Sequence, residues 1–358
     1  MSNFYFLCIT QPTNLGDLVI NKMLIEELCR YGKVYIDAYH TPEDFKKELL
    51  SNPSSVDLYL EKGITAKRLN LFRLYLLAKR ENIHFYFSSP GPIEGGGNSI
   101  YAVVFKLIKL TFKLAGAKII NIGGCASSLI YSNIPFKSTS DTDHYYLRSQ
   151  TSVDYINRFC NNKASYIPDL AFLLRYHYPE KRTIDNSKKV LVSFRKKNDD
   201  SSAFFEWCIS LIKLLLKEGY PVVLYYQVKS DYDYMYKLYQ ETQSDGAFFI
   251  NKQVWYEDLS IYEDFGFVIS NRLHSVLIGA VLGLIPIAII SDSKLVAKIK
   301  DVLYSSFDEV ADAISFPCLA QVESLLKKMR IADKRLIMNK VAESAALARS
   351  VVFNIVNC

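Results

Sequence analysis

Apolar runs of strand length alternate with segments of helical period along almost the whole chain. That alternation limits the fold more than any other feature of the sequence. Phe4–Thr10 reads as a buried strand, and Asp17–Tyr31 as a helix with Leu18, Met23, Leu24 and Leu28 on its inner side. Strand Val34–Asp37, helices Pro42–Leu50 and Leu69–Lys79, strand Ile83–Ser88, helix Ile100–Leu114 and strand Lys118–Ile122 continue the series. Such a succession predicts an α/β fold with a mainly parallel sheet. The polar stretch Arg175–Lys189, with Pro179 and no apolar period, breaks the rhythm and reads as a linker. The pattern restarts at Val190–Phe194 and continues through helix Phe204–Lys217, strand Val222–Tyr226, helix Asp231–Thr242, strand Phe248–Ile250 and a short helix near Glu257–Tyr262. Strand Gly266–Ile269, helix Ser275–Leu282 and strand Ile285–Ile290 follow, then helices at Leu295–Leu303, Val322–Ala345 and Leu347–Ile355. The expected organisation is an N-terminal α/β lobe over 1–175, a linker over 176–189, a C-terminal α/β lobe over 190–330 and a helical tail over 331–358. A length of 358 residues suits about two domains. Ligands of such sheets bind outside the carboxyl ends of the strands, so a cleft between the lobes is the expected site.

Composition narrows the class. Half the residues are hydrophobic and 22% are charged, which suits folded cores and argues against disorder. An excess of 43 basic over 37 acidic residues fits an enzyme of anionic substrates or a protein near an acidic membrane face. No nucleic-acid-binding module accompanies it. The seven cysteines are scattered, never in a C-x-x-C pair and mostly inside apolar runs, as expected for reduced thiols in the cytoplasm with no metal site. The opening MSNFYFLCIT lacks a basic n-region. The longest uncharged apolar run, Val276–Ile290, is 15 residues with Pro286 inside, short of the ~20 that span a bilayer. A soluble protein is expected.

Three clusters could carry chemistry. Asn14-Leu15-Gly16-Asp17 lies between the first strand and the first helix. Asn14 can cap the helix and Asp17 suits its dipole, or Asp17 can serve at the cleft mouth as a base or sugar-hydroxyl acceptor. Gly95, Gly96 and Gly97 precede another helix and let backbone N–H groups approach a ligand; a plain turn is the alternative. Ser270-Asn271-Arg272-Leu273-His274-Ser275 ends a strand and opens a very apolar helix. Burying that helix fixes Arg272, Leu273 and His274 at its N-terminus, where a phosphate or carboxylate is the natural guest. The alternative pairs Arg272 with an internal acid such as Asp264. Arg195 and Lys294 follow two further strands, so an anion pocket of three cations and one imidazole is expected. Asp169, in IPDL, either caps the following turn or acts as a base. Lys106, Lys109 and Lys113 share one side of helix Ile100–Leu114, either as a solvated stripe over a core helix or as a basic face resting on anionic lipid.

In this order the pieces resemble the polysaccharide pyruvyl transferase family. The likeness rests on NLGD, GGG before a helix, GAKIINIGG, Arg148 and Ser152 in LRSQTS, IPDLAFLL, the strand ending in Arg195, and NRLHSVLIGAVLGLIPIAI followed by Lys294. The resemblance implies two Rossmann-like lobes, a GT-B-like fold, and transfer of the enolpyruvyl unit of phosphoenolpyruvate to glycan hydroxyls as a pyruvate ketal. Arg195, Arg272 and His274 match family positions that hold phosphoenolpyruvate, and no metal or redox cofactor is implied. His274 is then the expected general acid, with Asp17 or Asp169 as base. The implied partners are phosphoenolpyruvate and a glycan acceptor, free or lipid-linked, in the cytoplasm or at the inner membrane face. Two departures, NIGGCASS where members often carry Gly-Pro and RSQTS where an acid commonly follows the Arg, fall in the acceptor-side lobe. A glycosyltransferase holding the diphosphate of a nucleotide sugar on the same cations is the rival. A non-catalytic partner in envelope synthesis is a third reading.

Overall fold

A computed structural model describes residues 2–37, 41–49, 58–59, 70–90, 100–125, 141–158, 163–178, 187–196, 201–290, 299, 301–303, 312–315, 324 and 334–357. The chain forms two compact units. The first comprises Met1–Pro12, Asp17–Leu170 and Ala346–Cys358; the second comprises Thr13–Gly16 and Ala171–Ala345. Two details differ from the division expected from sequence. Thr13–Gly16 packs with the second unit, and the chain from Ala346 onward packs with the first. Arg349 reaches Glu27 at 3.1 Å and Phe353 meets Tyr31 edge-on, which ties the last residues to the first unit.

The first unit is built from β1 (Ser2–Leu7), α1 (Leu15–Cys29), β2 (Gly32–Asp37), α2 (Glu43–Leu49), β3 (Leu58–Tyr59), α3 (Leu71–Arg80), β4 (Ile83–Ser88), α4 (Ile100–Leu114), β5 (Lys118–Gly124), β6 (His144–Leu147), α5 (Gln150–Asn157) and β7 (Ala164–Tyr166). Its strands order as β3-β2-β1-β4-β5-β6-β7, all parallel. A parallel sheet covered on both faces needs continuous rather than alternating apolar strands. FYFL in β1 meets that need, with Phe4, Tyr5 and Phe6 all fully buried. α3 and α4 lie against the sheet, with Leu74, Leu77, Ile108 and Phe112 packed around Tyr5 and Tyr86. α3 starts where Asn70 accepts a hydrogen bond from the Arg73 N–H at 3.0 Å, the usual N-cap device.

The second unit contains β8 (Val190–Ser193), α6 (Ser201–Lys217), β9 (Val222–Leu224), α7 (Tyr232–Thr242), β10 (Phe248–Phe249), β11 (Phe267–Ser270), α8 (Leu273–Val281), β12 (Ile285–Ile290) and β13 (Asp312–Ser315). The first half of α9 (Lys334–Asn357) also belongs to it, up to Ala345. Its parallel strands order as β10-β9-β8-β11-β12-β13. The chain works outward from β8 in one direction and then from β11 in the other, so these neighbours form a topological switch point, where α/β sheets bind ligands. α8 sits very close to the sheet. A Cβ on Gly279 would lie 2.4 Å from Cγ1 of Val268, so only glycine permits this approach. That packing holds the N-terminus of α8 beside the carboxyl end of β11.

Several expected elements shift. The two helices read at Val322–Ala345 and Leu347–Ile355 join as α9, because no breaker separates them; the first half of the former lies mostly outside the described residues. Glu257–Tyr262 becomes a 3₁₀ helix over Tyr256–Asp264. β3 (LY) and β13 (DAIS) were not read from sequence, as neither is an unbroken apolar run. Most of the expected linker and of the helix at Leu295–Leu303 lies outside the described residues.

Candidate functional site

The switch point of the second sheet gathers the third cluster. β8 runs into Arg195 and β11 into Asn271 and Arg272. Asn271, 1% exposed, clamps the two chain ends together: its Oδ1 accepts from the Arg195 N–H at 2.8 Å and its Nδ2 donates to the Arg195 carbonyl at 3.1 Å. Ser270 adds a second tie, its Oγ donating to the Ser193 carbonyl and accepting from the Arg272 N–H at 2.9 Å. Arg272 is the N-cap of α8 in extended conformation, with no side-chain cap bond. The first turn of α8 thus presents the backbone of Leu273 and His274 with the positive end of a helix dipole. Leu273 itself is buried, so its side chain belongs to the core and only its backbone can serve a ligand.

Arg272 differs from the expectation of a cation lacking a counter-charge. Its Nε and Nη2 donate to the two carboxylate oxygens of Asp231 at 2.9 and 2.5 Å, a bidentate pair. The partner is Asp231 rather than Asp264. Asp231 stands at the N-cap of α7, where an acid reads from sequence as a helix cap, yet its side chain makes no cap bond. Burial pushes its carboxyl pKa above the ordinary 3.8, with Arg272 and Arg195 pulling the other way. Arg195 therefore lies within electrostatic reach of the pair. Two guanidiniums and one carboxylate leave the cluster cationic, but less so than three free cations would.

The first cluster reaches the same place. Asn14 forms an antiparallel bridge with Val228, Leu15 N–H donates to the Gln227 carbonyl at 3.1 Å, and Lys229 N–H donates to the Thr13 carbonyl at 3.3 Å. Gln253 Nε2 donates to both Thr13 and Gln227 carbonyls, at 3.0 and 3.1 Å. Asn14 Oδ1 accepts from the Gly16 N–H at 3.0 Å, the local cap anticipated for it. Gly16 then abuts the imidazole. A Cβ there would lie 2.3 Å from Nδ1 and 2.4 Å from Cβ of His274, so glycine is a steric requirement of this contact. Two motifs 258 positions apart in the chain therefore share one contact (274 minus 16). The next residue, Asp17, is half-buried and accepts the Gln11 N–H at 3.1 Å.

Asp169 belongs to the first unit. It is 1% exposed and bound to Arg148, itself 3% exposed, at 2.8 Å within the first unit. Burial disfavours the Arg148 charge, but Asp169 and then Cys125 more than offset it and hold the guanidinium protonated. A carboxylate enclosed in this way serves as the counter-ion of the buried guanidinium. Gly95, Gly96, Gly97 and Lys294 lie outside the described residues. The Lys106 face also departs from a solvated stripe over a core helix, because Lys109 is buried and leucines face solvent. Among the described residues no group of three or more His, Cys, Asp or Glu is placed to hold a metal ion.

Asp231, Asn271 as a clamp and Gln227–Lys229 as a bridging segment are the parts of the site that the sequence did not reveal. An acid opening the helix that follows β9 is the hint of the first.

The family model described as polysaccharide pyruvyl transferase matches residues 14–293. No curated protein matches the chain by sequence. Among solved structures, the UDP-GlcNAc 2-epimerase of Neisseria meningitidis bound to UDP-GlcNAc superimposes with TM-score 0.64 at 12% identity, covering 99% of each chain. A glycosyltransferase from Rickettsia africae ESF-5 gives 0.64 at 10%, covering 99% of this chain and 98% of its own. MurG of Acinetobacter baumannii gives 0.53 at 12%, covering 100% and 99%. At such identities the likeness is one of fold: two Rossmann-like α/β units, GT-B-like.

Proposed function

This chain belongs to the polysaccharide pyruvyl transferase family, and from that premise we propose that it moves the enolpyruvyl unit of phosphoenolpyruvate onto hydroxyls of a surface glycan or its lipid-linked precursor. The observation that carries the reading is the contact of Gly16 with His274 beside Arg195 and Arg272. Phosphoenolpyruvate brings a carboxylate and a phosphate. Two guanidiniums and the N–H groups opening α8 suit that charge, and Asp231 holds Arg272 in one orientation.

In the proposed reaction, His274 as imidazolium protonates the methylene carbon of phosphoenolpyruvate, leaving an oxocarbenium-like centre at C2. A sugar hydroxyl adds to C2 and gives up its proton. The bond between C2 and the phosphate oxygen breaks and phosphate leaves. A second hydroxyl adds to C2, loses its proton and closes the ketal. With Asp169 enclosed by Arg148, Asp17 is the carboxylate we assign as base, following Gly16 directly in the chain. Lys294 is proposed as a further clamp on the donor, and Gly95, Gly96 and Gly97 as backbone contacts for the acceptor. No redox or metal cofactor is part of this scheme, and the reaction is assigned to the cytoplasm.

The rival, a nucleotide-sugar glycosyltransferase, draws support from the strand order of the second sheet, which suits a diphosphate at the switch point equally well. Thermal melting of the full chain with phosphoenolpyruvate, UDP-sugars and CMP-sugars separately distinguishes the two, since a ligand of the native state raises the melting temperature by mass action. A shift with phosphoenolpyruvate alone is expected. A shift only with a nucleotide sugar transfers the assignment to the rival, and none with either favours a non-catalytic role.

A further inference from the structure

The outer faces of α3 and α4 are apolar where solvent-facing helices are usually polar. Thirteen large apolar side chains are exposed among the described residues, and six of them stand on these two helices: Phe72, Leu76, Val103, Leu107, Leu110 and Leu114. The four on α4 are spaced i, i+4, i+7, i+11, a single stripe along one side. Phe72 and Leu114 are each 68% exposed. Ile108 and Phe112, on the opposite side, already fill the core, so the stripe is surplus to folding. α3 packs beside α4 over the same sheet face, which brings the two outer faces together. Scattered exposed leucines need no explanation; a gathered patch of them does.

The charges that the two helices themselves carry have one sign. α3 and α4 together carry Arg73, Lys79, Arg80, Lys106, Lys109 and Lys113 and no acidic residue. At the border Lys106 leans on Asp141 at 3.8 Å, Lys113 on Asp143 at 2.6 Å and Arg80 on Glu81 at 2.6 Å. Arg73 and Lys79 are exposed and have no acidic partner among the described residues. Neither helix is a membrane span, since among the described residues none is long and apolar enough to cross a bilayer. A second copy applied to the same face by two-fold symmetry would set cations against cations, which disfavours self-association there.

We propose that this face of the first unit docks on a bilayer containing anionic lipid, with the Val103–Leu114 stripe entering the headgroup–acyl boundary and the flanking cations meeting lipid phosphates. The interaction stands apart from the transfer chemistry, so either can fail without the other.

The test is flotation of the full chain with vesicles of phosphatidylcholine alone and of phosphatidylcholine containing phosphatidylglycerol. Binding is expected to the anionic vesicles and to fall several-fold when salt rises from about 0.1 to 0.5 M. The double variant Leu107→Asp, Leu110→Asp, confirmed as folded by circular dichroism, should lower partitioning at least about tenfold. Arg73→Glu with Lys79→Glu should weaken binding about tenfold while leaving the apolar stripe intact. Absence of binding to anionic vesicles overturns the proposal, as does equal binding by the α4 variant. Equal binding to neutral vesicles overturns its electrostatic half. A dimer in light scattering that the Leu107→Asp, Leu110→Asp variant dissociates would assign the face to a second copy instead.

Discussion

Each unit holds an Arg–Asp pair with a buried carboxylate, formed by residues that follow its strands, and the two pairs differ in what they can do. Arg148 and Asp169 follow β6 and β7 and are sealed, with side chains 3% and 1% exposed. Arg272 and Asp231 follow β11 and β9, and the guanidinium keeps 18% of its surface against 4% for the acid. In the first pair the opposite charge overcomes burial and holds Arg148 protonated. In the second, burial outweighs two nearby guanidiniums and the Asp231 pKa rises. A sealed pair is a joint of the fold, because removing either member strands a charge in a low dielectric. A pair whose cation is partly open, at a helix N-terminus and a switch point, can share that cation with an arriving anion.

The largest effect expected from breaking this contrast is on the sealed side. Asp169→Ala should cost about 3–5 kcal/mol in denaturant unfolding, the usual consequence of orphaning a buried partner. A variant of normal stability that has lost turnover would return Asp169 to the reaction. On the open side, His274→Ala should fold normally and lose about 100-fold in turnover, the scale of a general acid. Retained turnover removes His274 from the chemistry.

Gly16→Ala tests the steric link between the two motifs. The added methyl must displace the imidazole, so a loss of about 1–3 kcal/mol is expected together with a fall in turnover. Stability and turnover both unchanged would mean that the close approach is unimportant.

The smallest effect is a pH dependence. Because the folded-state pKa of Asp231 is raised, its contribution to stability is fully present below about 3.8 and lost as pH climbs through the raised value. Asp231→Asn should flatten that part of the stability profile, above the ordinary carboxyl value of 3.8. An unchanged profile would assign the slope to another group.

Much of the fold was readable because a covered parallel sheet demands unbroken apolar strands, and FYFL, VLVS and IPIAII supply them. The edge strands β3 and β13 were not read, since neither LY nor DAIS offers the unbroken apolar run of the inner strands. The site was half legible. Arg272 and His274 stood out because α8 is too apolar to leave its N-terminus anywhere but at the sheet edge. The partner of Asp169 was not legible for a related reason: an acid after a strand looks the same whether it faces solvent or a buried arginine.

The sequence by itself determined which segments are strands and helices and which residues end them, because hydrophobic period and chain-breaking residues act locally. Only the tertiary structure decided the partners: Asp231 for Arg272, Arg148 for Asp169, and His274 for Gly16. Pairing across 21 to 258 positions depends on strand order, and strand order is settled by how whole elements pack rather than by the residues that meet.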